Sequence, residues 1–288
     1  MNIENIKDDL LKHFNDNFNI PEVISYIKQI NSLKIIKYKN ITFKIYYNTK
    51  DDLNFKLIKK VMKRGAFLLK KKQMTIHLIP SLAKKILKED GIMTSENINS
   101  GFTYVNRNDI YIFRKEEFPK VVLHELIHHD LNIHRDKFNE KNKKLLKEHF
   151  NICEETTLIL NEAIIELWAT IFQLAFVSID YHLEFRKIFK MEVIYSLYKC
   201  HQILKIQKRD KWKDRCNIYS YIIFKTILLL NLNEYIKIYM YPNKYDETLL
   251  TQFLIKHSKL PLIQKNPEYL SKIKRPDNSL CFMLFSDY

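Results

Sequence analysis

Glycine occurs only 3 times in these 288 residues and proline 7 times. No Pro/Gly-rich linker, internal repeat or low-complexity tract is present, which excludes a solenoid and a string of loosely tethered modules. The four cysteines, Cys153, Cys200, Cys216 and Cys281, form no Cys-x-x-Cys pair. That removes the usual thiolate zinc cluster and leaves reduced thiols in a cytosol-like compartment as the expectation. No signal-peptide pattern opens the chain, which points the same way. Acid is short: 33 Asp and Glu face 48 Lys and Arg, a net charge of +15. Residues 59–72 hold Lys59, Lys60, Lys63, Arg64, Lys70, Lys71 and Lys72 with no acid, and Lys205, Lys208, Arg209, Lys211, Lys213 and Arg215 form a second cluster around Asp210 and Asp214. Such clusters could meet nucleic acid or acidic proteins. No nucleic-acid motif accompanies them, so a solvated surface in a lysine-biased chain is the expected reading. The abundance of Lys, Ile, Asn and Tyr fits an AT-rich genome, such as that of a large DNA virus or an AT-rich microbe.

Apolar residues make up 46% and aromatics 13% of the chain, enough for one large core or two smaller ones. Residues 1–31 read as a helical lead-in, with Pro21 opening a second helix. Ile41, Phe43 and Ile45 alternate with Thr42 and Lys44 as a strand. Residues 53–64 carry helical spacing, and Met74 to Ile79 forms a further strand closed by Pro80. Residues 100–114 read as two strands around a polar turn. Residues 136–288 read as mostly helical, over 138–150, 154–179, 182–206, 215–232 and 246–257, and the apolar tail from Leu280 to Phe285 should pack on the body. The run 156–179 is long enough to span a bilayer, but Asn161, Glu162, Glu166 and Gln173 interrupt it. A buried helix, with no membrane span, is expected.

Directly after the hairpin comes Val121-Val122-Leu123-His124-Glu125-Leu126-Ile127-His128-His129. In a helix, His124 and His128 share one face a turn apart. Two imidazoles at that spacing can hold one zinc ion, and Glu125 then stands beside the metal as a general base. Catalytic zinc usually takes a third protein ligand, and two candidates follow. His134 has the right spacing for the metzincin pattern, but Leu131 stands where that pattern needs Gly. Glu162 lies in an apolar run with Glu166 one turn on and Glu155 two turns before. Buried carboxylates at such spacing call for a cation.

The His-Glu-x-x-His run and the strands before it resemble the zincin metallopeptidases over roughly residues 32–180. Leu160-Asn161-Glu162-Ala163 is similar to the Leu-Asn-Glu-Gly stretch of the gluzincin aminopeptidases, whose Glu is the third ligand. Ala163 replaces the Gly, the gap from His128 is longer, and the Gly-x-Met-Glu-Asn exopeptidase motif is absent. The resemblance implies an α+β, zincin-like, two-lobed domain: a lead-in (1–31), a sheet-containing lobe with the His helix (32–135) and a helical lobe (136–288) carrying the third ligand. It implies zinc on His124, His128 and Glu162, with Glu166 and Asn161 orienting the ligands, and a peptide substrate laid along an edge strand. The expected activity is metal-assisted peptide hydrolysis with Glu125 as base. The rival expectation is a non-catalytic zincin-like scaffold, or a basic nucleic-acid-binding protein with a structural zinc. His201 is a candidate for an additional electrophile.

Overall fold

A computed structural model describes residues 2–69, 72–87, 92–104, 107–130, 139–207, 211–239, 246–261 and 279–288. In chain order the elements are α1 (Ile3–Asn17), α2 (Pro21–Gln29), β1 (Ser32–Tyr38), β2 (Ile41–Tyr47), α3 (Phe55–Leu68), β3 (Met74–Ser81), β4 (Met93–Thr94), α4 (Ser95–Ile98), β5 (Gly101–Thr103), β6 (Asp109–Arg114) and α5 (Phe118–Asp130). They are followed by α6 (Glu140–His149), α7 (Asn161–Tyr181), α8 (Phe185–Gln207), β7 (Asp214–Arg215), a π-helical turn (Tyr219–Phe224), α9 (Lys225–Leu230), α10 (Leu232–Ile238) and α11 (Glu247–Lys256). The architecture is mixed α and β. The chain divides into two compact units, one of residues 1–85, 95–130 and 286–288, the other of 86–94 and 131–285.

The first unit is built on a five-stranded sheet of order β1-β2-β3-β6-β5. β2, β3 and β6 run parallel, while β1 and β5 are antiparallel edges. The period-2 pattern decides what each face buries. Ile41, Phe43, Ile45, Ile76, Leu78, Ile110 and Ile112 face a core shared with Ile58, Val61 and Met62 of α3 and Val121, Val122 and Leu126 of α5. The alternate residues Tyr46, Ile79, Tyr111 and Phe113 face α1 and α2 through Leu10, Phe14, Val23 and Ile27. The sheet is thus covered on both faces, as its parallel centre requires. β1 has no counterpart in the sequence reading. It exposes Ile35 together with Lys34 and Lys37, so its hydrophobic alternation is weak.

The second unit departs from the sequence reading at one place that bears on function. The expected helix 154–179 begins only at Asn161. Glu155 is exposed and lies outside the helix, so it does not share a face with Glu162. The cause is long-range: residues 151–160 are tied to 211–217. The N–H of Cys153 donates to the Trp212 carbonyl at 2.8 Å, the Thr156 hydroxyl to the same oxygen at 3.2 Å, and the N–H of Ile159 to Asn217 Oδ1 at 3.1 Å. Buried Asp214 braces this support by accepting from the N–H of Cys216 at 2.9 Å and from the Trp212 indole. The helix expected over 215–232 is likewise split into the π turn and α9.

α7 is long and apolar enough to cross a membrane by length and composition, but 61% of its most apolar window is buried inside the fold. The segment 279–285 packs on this unit through its backbone. The Tyr195 hydroxyl donates to the Cys281 carbonyl at 2.9 Å, Lys199 to Ser279 at 2.6 Å, Lys225 to Phe282 at 2.9 Å and Gln173 to Phe285 at 3.0 Å.

Candidate metal centre

α5 carries the histidine motif and is buried nearly all round. Two glycines let it lie close to its neighbours. A Cβ on Gly65 of α3 would sit 2.9 Å from Leu126 Cδ1, and one on Gly101 of β5 would sit 3.0 Å from Val121 Cγ1. The residue before the helix, Glu117, has φ 59°, a left-handed conformation that L residues adopt at a cost. It is held there from three sides. Lys85 donates to its carboxylate at 2.6 Å, Asp287 accepts from its N–H, and its own carbonyl accepts from the N–H of Val121 at 2.9 Å. At the other end, the Lys72 ammonium caps the His129 carbonyl at 2.8 Å, where the helix dipole favours a cation.

On this helix the Nε2 atoms of His124 and His128 lie 3.2 Å apart. His124 and Glu125 are buried, and His128 is half-buried. Glu162, in the first turn of α7, is only 2% exposed. The helix N-terminus there favours a carboxylate, which offsets part of the cost of burying it. One ligand atom each from His124, His128 and Glu162 lies within 4.8 Å of the others, so these three residues could hold a metal ion. The donor set passes a simple test of fit. Two imidazoles bound at about 2.0–2.1 Å around a tetrahedral ion stand about 3.4 Å apart, close to the observed separation.

Asn161 and Glu166 are also buried, on the same helix as Glu162, with Glu166 one turn further along. His134 lies outside the described residues. His129 stands apart from the ligand group: its Nε2 is bonded to the Thr103 hydroxyl on β5. Burial first, then the neighbouring His128 and Lys72, holds its pKa below the usual histidine range. His201 lies 3.2 Å from the Pro261 carbonyl through its Nε2. Thr103, Lys85 and Asp287 carry no mark in the sequence pattern, and Lys72 shows there only as part of a basic cluster. Each acts over a long sequence separation, so no signal in the motif could have found them.

No family model matches the chain, and no solved structure matches it. A similar curated protein is an uncharacterized protein of Acanthamoeba polyphaga mimivirus, 26% identical over 68% of this chain. The chain spans about half the length of that relative, 53%. The relative's source, a giant virus, agrees with the AT-rich compositional bias and with a viral origin.

Proposed function

We propose that this protein is a zinc-dependent peptidase with a zincin-like fold and a gluzincin-type ligand set. His124, His128 and Glu162 would hold the ion, and Glu125 acts as general base. The observation that carries the reading is the convergence of two imidazoles and a buried carboxylate on one point, with Glu125 next to the first ligand in the chain. A purely structural centre has no need of Glu125 and usually takes four protein ligands.

When bound there, zinc would supply Lewis-acid chemistry, polarising a carbonyl and making water a nucleophile near neutral pH. The chain's own groups do the rest. Glu125 accepts the proton of the attacking water and returns it to the leaving amine. The low exposure of His124, Glu125 and Glu162 keeps competing solvent away from the proton. β5 stands at an edge of the sheet, the position at which an extended peptide would add as a further strand, a mode that binds regardless of side chain. Glu166 and Asn161 orient the ligand side chains.

The test is zinc content and peptide hydrolysis measured on the same preparations. Glu125→Gln should keep zinc while hydrolysis falls by about 10²–10⁴-fold, the share of a general base. Glu162→Ala and His124→Ala should lose zinc. Full zinc retention by Glu162→Ala, or an active Glu125→Gln, overturns the reading.

A further inference from the structure

The first unit carries a strongly basic surface that the proposed hydrolysis does not use. No acid occurs between Glu22 and Asp51, nor between Asp52 and Glu89. The structure gathers the lysines of this stretch. On α3, Lys56, Lys59, Lys63 and Phe67 follow helical spacing and are all exposed, while Ile58, Val61 and Met62 turn into the core. Lys60 lies beside them, half-exposed. Lys34 of edge strand β1 joins the same side, its ammonium 4.1 Å from the ring of Phe55, the first residue of α3.

This face has no acid to match its lysines. On other helices some lysines are matched with acid, Lys7 with Glu4 at 2.8 Å, Lys143 with Glu140 at 2.8 Å, Lys144 with Glu148 at 3.9 Å and Lys256 with Glu234 at 2.5 Å, while Lys12, Lys187 and Lys190 are exposed singly or as a pair and not in a row of three. Lys56, Lys59 and Lys63 join no ion pair among the described residues, and the first turn of α3 carries no acid. Lysines three and four apart repel, and Lys56 near the helix N-terminus opposes the dipole. This arrangement costs the helix some stability, which a polyanion lying along it would offset.

We propose that the α3–β1 face binds the backbone of a single-stranded nucleic acid. Lys56 to Lys63 spans about 10 Å at 1.5 Å per residue, and the long flexible side chains of Lys56, Lys59 and Lys63 can each reach one phosphate of a strand lying along the helix. Lysine supplies point charges and no bidentate fork, which suits backbone contact and not base readout. Phe67, 72% exposed on the same face, offers a ring on which an unpaired base stacks. An anionic membrane suits the face less well. A helix lying on a bilayer needs an apolar face to bury, and here that face is spent on the protein core.

The test uses the full chain and a labelled mixed-sequence 20-nucleotide DNA strand, followed by fluorescence anisotropy from 50 to 200 mM salt. With three phosphates engaged, affinity should fall about 20-fold over that range, a log–log slope near −2. Lys56→Glu/Lys59→Glu/Lys63→Glu should weaken binding at least tenfold and flatten the slope. A charge-matched control, Lys141→Glu/Lys187→Glu/Lys190→Glu, should stay within about threefold of the parent. Phe67→Ser should cost about tenfold on the single strand and little on duplex DNA. A triple Lys→Gln variant at 56, 59 and 63, with circular dichroism on every variant, separates lost contact from lost fold. Equal losses in the two charge variants overturn the proposal. So does capture by phosphatidylserine vesicles without binding to the oligonucleotide.

Discussion

Lys85 donates to Glu117 at 2.6 Å, and both side chains are sealed from solvent immediately before the helix that carries His124 and His128. Removing one partner of a buried pair strands a charge, whereas replacing both with apolar groups is often tolerated. Lys85→Met alone should therefore destabilise the protein by about 3–5 kcal/mol, and Lys85→Met/Glu117→Met should recover much of that loss. Urea unfolding of the two singles and the double gives the coupling. Additive effects would mean that the pair is not what fixes the start of α5.

His77 sits in the sheet between Tyr46 and Asp109, its Nδ1 2.8 Å from the tyrosine oxygen and its Nε2 3.1 Å from the carboxylate. It stacks on Tyr111 at 4.4 Å. Burial, the largest influence, and Lys44 lower its pKa, against the opposing pull of Asp109 and Asp9. A histidine depressed in the fold is charged more readily when unfolded, so protonation favours unfolding. Its contribution is fully present above the unfolded value near 6.5 and is lost as pH falls through the lower folded value. Stability measured at pH 7.5 and 5.0 should drop more steeply in the parent than in His77→Gln. Parallel curves would show that other groups govern the acid limb.

Gly65 and Gly101 differ in what a methyl would strike. At Gly65 the near atoms are the tips of flexible side chains, Ile41 Cδ1 at 2.8 Å and Leu126 Cδ1 at 2.9 Å, and alanine also favours a helix. At Gly101 the obstacles include the Tyr111 carbonyl at 3.0 Å, which belongs to the paired strand and cannot step aside. Gly101→Ala should cost about 1–3 kcal/mol, and Gly65→Ala less than about 1 kcal/mol. Thermal or denaturant melts decide the order, and a larger loss at Gly65 would contradict the argument.

The parts of this molecule that were legible in the sequence are those fixed by local period. Ile41, Phe43 and Ile45 announce β2, and Ile110 and Ile112 announce β6, because alternation selects one face of a sheet. The spacing of His124 and His128 places two imidazoles together because a helix makes it so. The start of α7 was not legible. Residues 156–160 are apolar enough to extend the helix, but Thr156 and Ile159 bond to Trp212 and Asn217, far along the chain. β1 was missed for the converse reason: as an edge strand it needs only one good neighbour, and its lysines blur the pattern. The apolar run around Glu162 suggests a mid-helix carboxylate with Glu155 and Glu166 on the same side, whereas Glu162 sits in the first turn and Glu155 lies outside the helix.

Thr103 links the edge strand to the histidine helix. Its hydroxyl meets His129 Nε2 and also lies 3.2 Å from the Asp109 carbonyl, so one side chain joins β5, β6 and α5. If β5 receives the substrate backbone, this link sets the distance between the bound peptide and Glu125, which lies one turn before His129. Thr103→Val keeps the β-branched shape and deletes the hydroxyl, at a stability cost of about 1 kcal/mol for the lost hydrogen bond. Zinc content should be unchanged, because neither Thr103 nor His129 belongs to the ligand group. Peptide turnover should fall mainly through a higher KM, and Thr103→Ser, which restores the hydroxyl, should recover it. A fall in kcat with KM unchanged would instead mean that the link serves the chemical step. Unchanged kinetics in a folded, zinc-loaded Thr103→Val would show that the substrate does not depend on this edge.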